Sequence, residues 1–329
     1  GTNGRDSDAR DSGDLVTSSD KASIPAFRDD PGCRASRGGK SSWHGTLVTG
    51  VLGARTDNNE GIAGVAPNAT ILVSRALGKC GGYNSDLMDA TRWSAGLTVN
   101  GVPANTNPAK IINLSLGGGG ACSQTEQDAI SAVTAAGAVV VVAAGNEGAD
   151  SVSSAPGNCI NTINVGATTR KGGETGYTNA GEEVDLSAPG GNNPTASEPL
   201  TEIYTTSQNK SIGFITNNNN AIYTETQGTS FSAPLVSGVI ALMLEKKSDL
   251  TPQQIYGTLL ANVTAFPSGT TTAQGGDAAR DCTANNCGAG ILNAKAVFDA
   301  LDSNNIVSRN FPNKESKPAQ TTAPPATTS

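Results

Sequence analysis

Three residues carry the chemistry this sequence can do: a histidine, an asparagine and a serine, in that order. His44 is the only histidine in the chain and stands in Ser41-Ser42-Trp43-His44-Gly45-Thr46. An imidazole titrates near neutral pH. It acts as a general base when a nucleophile lies within reach and a third group orients its ring. Ser230 lies in Gly228-Thr229-Ser230-Phe231-Ser232-Ala233-Pro234, at the head of an apolar stretch that reads as a helix. A serine hydroxyl is a weak nucleophile until a base takes its proton. The first turn of a helix offers free N–H groups and a positive dipole end, which suit a developing oxyanion. Asn146 follows a β-branched run in Ala143-Ala144-Gly145-Asn146-Glu147-Gly148. There its amide can be aimed across a strand end as a further donor. Taken singly, each has a plainer role, because serines cap helices, asparagines beside glycines make turns, and lone histidines are usually structural.

The elements that must position these residues alternate between strand and helix. An apolar pattern from Thr46 through Leu52 predicts a helix just after His44. Thr70-Ile71-Leu72-Val73-Ser74 reads as a short buried strand and Asp86 to Gly96 as a helix. Lys110 to Ser115 predicts a strand that runs into Gly117 to Gly120, and Thr125 to Ala136 has helical spacing. Ala138 to Ala144 is a strand apolar on both faces; Asn161 to Ala167 and Val184 to Leu186 read as further strands. Residues 197–227 suggest a hairpin with an Asn-rich tip at Asn217 to Asn220. Ser232 to Glu245 predicts a long apolar helix. Thr251-Pro252-Gln253-Gln254 opens the next with an N-cap, a first-turn proline and a capping-box glutamine. Leu292 to Leu301 reads as a last helix. This order implies an α/β domain with a largely parallel sheet, whose reactive groups sit at the carboxyl ends of strands.

Bulk properties exclude some functions. The net charge is −7 and the sequence holds no basic stripe, so nucleic acid is not an expected partner. No apolar run approaches the roughly 20 residues of a membrane span. The six cysteines, Cys33, Cys80, Cys122, Cys159, Cys282 and Cys287, contain no C-x-x-C pair. With one histidine they do not form a zinc set and read instead as three disulfides in an oxidising compartment. Cys282 and Cys287 are near enough in sequence to close one loop with each other. Residues 303–329 turn Thr/Pro/Ala-rich and read as a linker or tail after a domain spanning 1–302.

Five segments, in order, carry a resemblance: W-H-G-T-L-V-T-G, N-L-S-L-G-G, A-A-G-N-E-G, D-L-S-A-P-G and G-T-S-F-S-A-P-L-V-S-G. They resemble the subtilisin-like serine proteases over roughly residues 40 to 300. The resemblance implies a three-layer α/β fold with a largely parallel central sheet, and a secreted serine endopeptidase acting on protein or peptide substrates. It gives His44 the role of base and Ser230 that of nucleophile. The oxyanion hole falls to the Ser230 N–H and the Asn146 amide. Ser115, Leu116, Gly117 and Gly118 resemble the edge that pairs with a substrate backbone. Ala143, Ala144, Gly145, Ala155, Pro156 and Gly157 resemble the walls of the main specificity pocket. The cysteines resemble those of a secreted bacterial branch, which implies pairing Cys33 with Cys80 and Cys122 with Cys159. The family pattern further implies a propeptide in the precursor, a monomer and no catalytic cofactor.

One departure stands out. The family places an Asp at the end of an apolar strand, before the histidine. Asp11-Ser12-Gly13 has the right letters but no apolar strand before it. The acid, with the first strand or strands, is therefore expected upstream of Gly1, and the chain is read as N-terminally truncated and inactive by itself. Asn3, Asp6, Asp8 and Asp11 present closely spaced oxygens and are read instead as a structural Ca²⁺ loop, which also resembles one in secreted relatives. The rival reading is a scaffold without turnover, a pseudoprotease or adhesion module. A P-loop at Gly38-Gly39-Lys40-Ser41 fails for lack of the first glycine, and an α/β-hydrolase fails because Ser230 is not in G-x-S-x-G.

Overall fold

Val139–Ala143 is buried at every residue, and the fold is assembled around that fact. Side chains alternate across a strand, so five consecutive apolar residues need a partner layer on each face. In the computed structural model, residues 13–25, 27, 33, 40–192, 202–209, 221–271, 278–312 and 314 are described. Four parallel strands run in the order β1 (Ile111–Leu114), β3 (Val139–Ala143), β5 (Thr162–Thr168), β6 (Leu186–Pro189). Val139, Val141 and Ala143 face α5 (Thr229–Lys246), meeting its Val236, Val239, Ile240 and Met243. On that side α6 (Pro252–Ala261) and α7 (Ala294–Asp302) complete the layer through Ile255, Leu259, Val297 and Leu301. Val140 and Val142 face the other way. There they pack with Ile112 and Leu114 against α3 (Asn84–Ser94) and α4 (Gln124–Ala135). The three-layer α/β architecture expected from the sequence is the one observed.

The helix starts follow local chemistry. The capping box at α6 forms as predicted, with Thr251 as N-cap, Pro252 in the first turn and Gln254 returning the bond. A second box, Ser123 with Glu126, opens α4. A third, Thr17 with Asp20, opens α1 (Ser18–Ser23), a short helix that the sequence reading did not anticipate. α2 (His44–Gly53) starts at His44 itself. The hairpin of β7 (Ile203–Gln208) and β8 (Ala221–Thr226) is antiparallel, as expected, while its Asn-rich tip lies outside the described residues. β2 (Gly118–Gly119) pairs antiparallel with β4 (Ser154–Ala155).

One expected strand is corrected. Thr70–Ser74 is extended but belongs to no sheet, and Ile71, Leu72 and Val73 are 38, 38 and 55% exposed. Its apolar residues suit a sheet interior, yet among the described residues β1 is the outer strand and none pairs with Thr70–Ser74.

Residues 307–311, at the head of the stretch read as a tail, lie against α6. Arg309 N–H donates to Gln253 O (3.1 Å), Val307 N–H to Thr258 Oγ1 (3.2 Å), and Phe311 stacks on Tyr256 at 4.4 Å. Gly257 permits this approach, because a Cβ there would collide with the Val307 carbonyl.

The three disulfides join Cys33 to Cys80, Cys122 to Cys159 and Cys282 to Cys287. Cys122 and Cys159 are 37 residues apart, which in the chain-entropy picture corresponds to about 4 kcal/mol. Replacing both by alanine is expected to lower unfolding free energy by about that amount in a urea titration; an unchanged midpoint and slope would contradict it.

Candidate active site

His44 and Ser230 stand at the starts of α2 and α5, and these two helices pack on each other. Trp43, Leu47 and Val51 of the α2 segment share a buried cluster with Phe231, and the His44 ring meets the Phe231 ring edge-on at 5.9 Å. Phe231 is the residue after Ser230, so the base candidate stands over the first turn of α5.

The approach to His44 is held from the N-terminal side. Asp14 accepts hydrogen bonds from Ser42 N–H (2.7 Å) and Ser42 Oγ–H (2.5 Å). Ser42 Oγ in turn accepts from His44 N–H at 3.3 Å. Trp43 is buried with φ 50°, a left-handed conformation that an aromatic residue seldom takes. The bend lets the chain turn from the Asp14 clip straight into α2, with His44 as its first residue. β7 holds the same helix from its other side: Thr205 Oγ1 donates to Leu47 O and Thr206 Oγ1 to Thr46 O. Gly50 makes room for both threonines. Among the described residues, no carboxylate is hydrogen-bonded to the His44 ring.

The Ser230 turn is fixed by a proline. Pro234 lies inside α5 and has no N–H, so the Ser230 carbonyl loses its helical partner. Ser115 Oγ–H donates to that carbonyl at 2.7 Å. Asn113 Nδ2 donates to Ser115 Oγ (2.9 Å), and Ser237 Oγ–H donates to Asn113 Oδ1 (2.9 Å). A polar chain thus ties the end of β1 to α5. The Ser230 hydroxyl itself points at Ser115 O, 3.3 Å away. Ser230 is not the helix cap, since Gly228 occupies that position. Tyr177 Oη donates to the carbonyl side of Gly190 and Gly191 and accepts from Gly228 N–H at 3.2 Å, bracing the approach to the same turn.

Asn146 is oriented without ambiguity. Its Oδ1 accepts from Thr229 N–H (2.9 Å) and Thr229 Oγ1–H (3.1 Å). Because a backbone N–H can only donate, the oxygen must face Thr229 and the N–H₂ must face away. Its loop is clamped by Asn179, whose Oδ1 accepts from Glu147 and Ala149 N–H and whose Nδ2 donates to Ala144 O and Glu147 Oε2.

The predicted substrate segments are linked to one another and to this turn. Gly118 pairs with Ala155, joining the Ser115–Gly118 edge to the Ala155–Pro156–Gly157 segment. Ser154 Oγ lies near both Gly117 and Gly145. Gly145 N–H donates to Thr229 Oγ1 at 3.2 Å, setting Ala143–Gly145 beside the serine turn. Asn158, 5% exposed, links Gly120 O and Val152 O through its Nδ2. Asn3, Asp6, Asp8 and Asp11 lie outside the described residues. Among the described residues, one metal-type cluster occurs, Cys122, Glu126 and Cys159; its cysteines are disulfide-bonded and Glu126 caps α4.

Asp14, Ser42, Asn113, Asn158, Tyr177, Asn179 and Ser237 were not singled out from sequence. Only Ser115's bond to the serine turn had a sequence signal, because a proline four residues after Ser230 removes that carbonyl's donor.

Residues 20–290 match the profile of the Subtilase family. The chain belongs to that family. It is 41% identical over 300 residues to an extracellular protease of Xanthomonas campestris pv. campestris, covering 91% of this chain and 45% of that protein. It is 42% identical over 230 residues to the extracellular basic protease of Dichelobacter nodosus, covering 69% of this chain and 36% of that one. The subtilase chain therefore spans less than half the length of these curated relatives. A solved protease structure from Pseudoalteromonas arctica is 41% identical with TM-score 0.75, covering 90% of this chain and 78% of that one. No helix among the described residues is long and apolar enough to cross a membrane.

His44 keeps an exposed face, but partial desolvation of its ring holds its pKa below the usual 6.5, and the Asp14 charge works against that shift. The folded chain then binds fewer protons than the unfolded chain just below pH 6.5. His44 therefore lowers stability as the medium is acidified through that range and has no such effect above it. As the sole histidine, it gives one imidazole titration by NMR. The midpoint is expected below 6.5 in this chain, and lower again in Asp14→Asn; a midpoint at or above 6.5 would contradict the desolvation.

Proposed function

We propose that this chain is the catalytic body of a secreted serine endopeptidase. Ser230 is the nucleophile, His44 the general base, and Asn146 with the Ser230 N–H the oxyanion donors. The observation that carries the reading is the Asn146 geometry. Its oxygen is spent on Thr229 N–H, one residue before Ser230, so its two N–H bonds are turned away from the helix backbone. Together with the Ser230 N–H in the first turn of α5 they can meet an oxyanion. In the reaction Ser230 Oγ–H leaves Ser115 O by rotation about χ1 and gives its proton to a His44 ring nitrogen as oxygen attacks the scissile carbonyl carbon. The imidazolium then returns the proton to the leaving amine, and water repeats the sequence on the acyl-enzyme. The Ser115–Gly118 backbone, exposed at Gly117 and Gly118, offers an edge for a substrate strand, and Ala143–Gly145 and Ala155–Gly157 wall the side-chain pocket.

The orienting acid is proposed to lie upstream of Gly1, on a strand seated between β1 and Thr70–Ser74. Two features support this: among the described residues β1 is the outer strand on its side of the sheet, and Ile71–Val73 is an apolar, extended run left exposed. A strand in that slot would bury those residues. It could also carry a carboxylate at its carboxyl end. Without the acid, loss of activity is about 10⁴-fold by analogy with other serine proteases. The domain division at 302, secretion as a monomer from a propeptide-bearing precursor, and calcium at Asn3, Asp6, Asp8 and Asp11 belong to the same proposal. The names of the two extracellular relatives and the disulfides support the secretion.

A complete chain is expected to react with a fluorophosphonate probe and cleave casein, both abolished by Ser230→Ala. No labelling of a complete chain with His44 and Ser230 intact would favour the inactive scaffold. Asn146→Ala is expected to lower kcat by about 10²–10³-fold, as at the equivalent donor of subtilisin, a member of the same family. EGTA is expected to lower the Tm of the full chain; an unmoved Tm would remove calcium from the proposal.

A further inference from the structure

Asp185 and Lys314 form an ion pair at 2.8 Å with side chains only 4% and 3% exposed. Taking two charges out of water costs several kcal/mol each unless their remaining hydrogen-bond capacity is also met. Here it is met. Asp185 Oδ2 accepts from Asn164 N–H (2.7 Å) and Oδ1 from Tyr256 Oη–H (2.8 Å). Burial, then the Asp185 charge, push the Tyr256 phenol above its ordinary range, so it remains a donor. Lys314 Nζ also donates to Gly157 O and Thr162 Oγ1, each at 3.2 Å.

The partners of that ammonium lie on both flanks of one turn. Gly157 ends the segment Ala155–Pro156–Gly157, and Thr162 begins β5. Thr162 Oγ1 bonds the Gly157 and Cys159 carbonyls at 2.9 and 2.8 Å. Lys314 Nζ, Thr162 Oγ1 and the Gly157 carbonyl oxygen thus lie within 3.2 Å of one another. Lys314 is brought there by residues 307–311, which run along α6 through Val307, Arg309 and Phe311.

We propose that Lys314 is a positioning residue for substrate selection. Its ammonium pins the Gly157 carbonyl to Asp185 and so sets the wall Ala155–Pro156–Gly157. The proposal rests on the reading of that wall as part of the substrate pocket. It gives Lys314, beyond the division at 302, a part in the functional unit, inside a stretch whose composition resembles a tail.

The test is Lys314→Met in the full-length active protease, with kinetics normalised by active-site titration. KM for a peptide bearing a large apolar residue before the scissile bond is expected to rise about threefold or more, with kcat changed less than about twofold. Phe311→Ala loosens the same strap away from the polar cage; it is expected to lower Tm and leave KM unchanged. Should Lys314→Met fail to accumulate folded protein, Lys314→Gln, whose shorter stem cannot span the cage, is read in the same way. An unchanged KM, or an equal rise in Phe311→Ala, overturns the role of Lys314. Ala155→Val tests the wall itself and is expected to shift preference toward smaller side chains. If it does so while the Lys314 variants leave KM alone, only the positioning role is lost. If it shifts nothing, the wall reading fails and the proposal falls with it.

Discussion

Pro234 takes one N–H out of α5, and the candidate site is arranged around the carbonyl this leaves open. An unpaired carbonyl in a buried first turn would cost about 1–3 kcal/mol. Ser115 meets it from the end of β1, and Asn113 and Ser237 fix Ser115. The consequence is positional. The first turn of α5 cannot slide along the sheet without breaking a chain of buried hydrogen bonds, so Ser230 is held at the carboxyl end of β1. The same turn takes Asn146 as the acceptor for Thr229 N–H, which places the asparagine amide beside the serine. A helix irregularity and two strand ends thereby become one rigid corner.

His44 is delivered to this corner by different means. It is not carried on a sheet strand. It begins a helix whose N-terminal approach is clipped by Asp14 and whose flank is held by two threonines of β7. The buried Trp43 absorbs an unusual backbone conformation to make that turn, and the packing of Trp43 and Leu47 on Phe231 keeps it there. The serine side of the site is set mainly by the parallel sheet. The histidine side depends on segments added around it, and one of these, the hairpin of β7 and β8, is far away in sequence.

The edge of the sheet explains the one expected strand that did not form. Ile71, Leu72 and Val73 have the residue types of a sheet interior, but strand propensity is a statement about neighbours. Among the described residues β1 is the outer strand, and none of them pairs with this run. At the opposite end of the chain the reverse holds. Thr/Pro-rich composition follows Lys314, yet Val307, Phe311 and Lys314 find partners on α6 and β5 that no composition count would reveal.

The sequence by itself determined the periodic and locally closed features. Four parallel strands, the long helix after Ser230 and the capping box at Thr251 were legible, because strand alternation and caps are set by residues within a few positions of each other. The order of the His44, Asn146 and Ser230 motifs was legible as a family resemblance, and the missing donor of Pro234 could be read directly. The tertiary structure decided the rest. Which groups meet Asp14, Asn113, Asn179 and Lys314 depends on contacts across 28 to 157 residues of chain. Such contacts leave no local pattern. A polar side chain reads the same in sequence whether water or a distant carbonyl satisfies it, and only burial removes the water and makes the distant partner necessary.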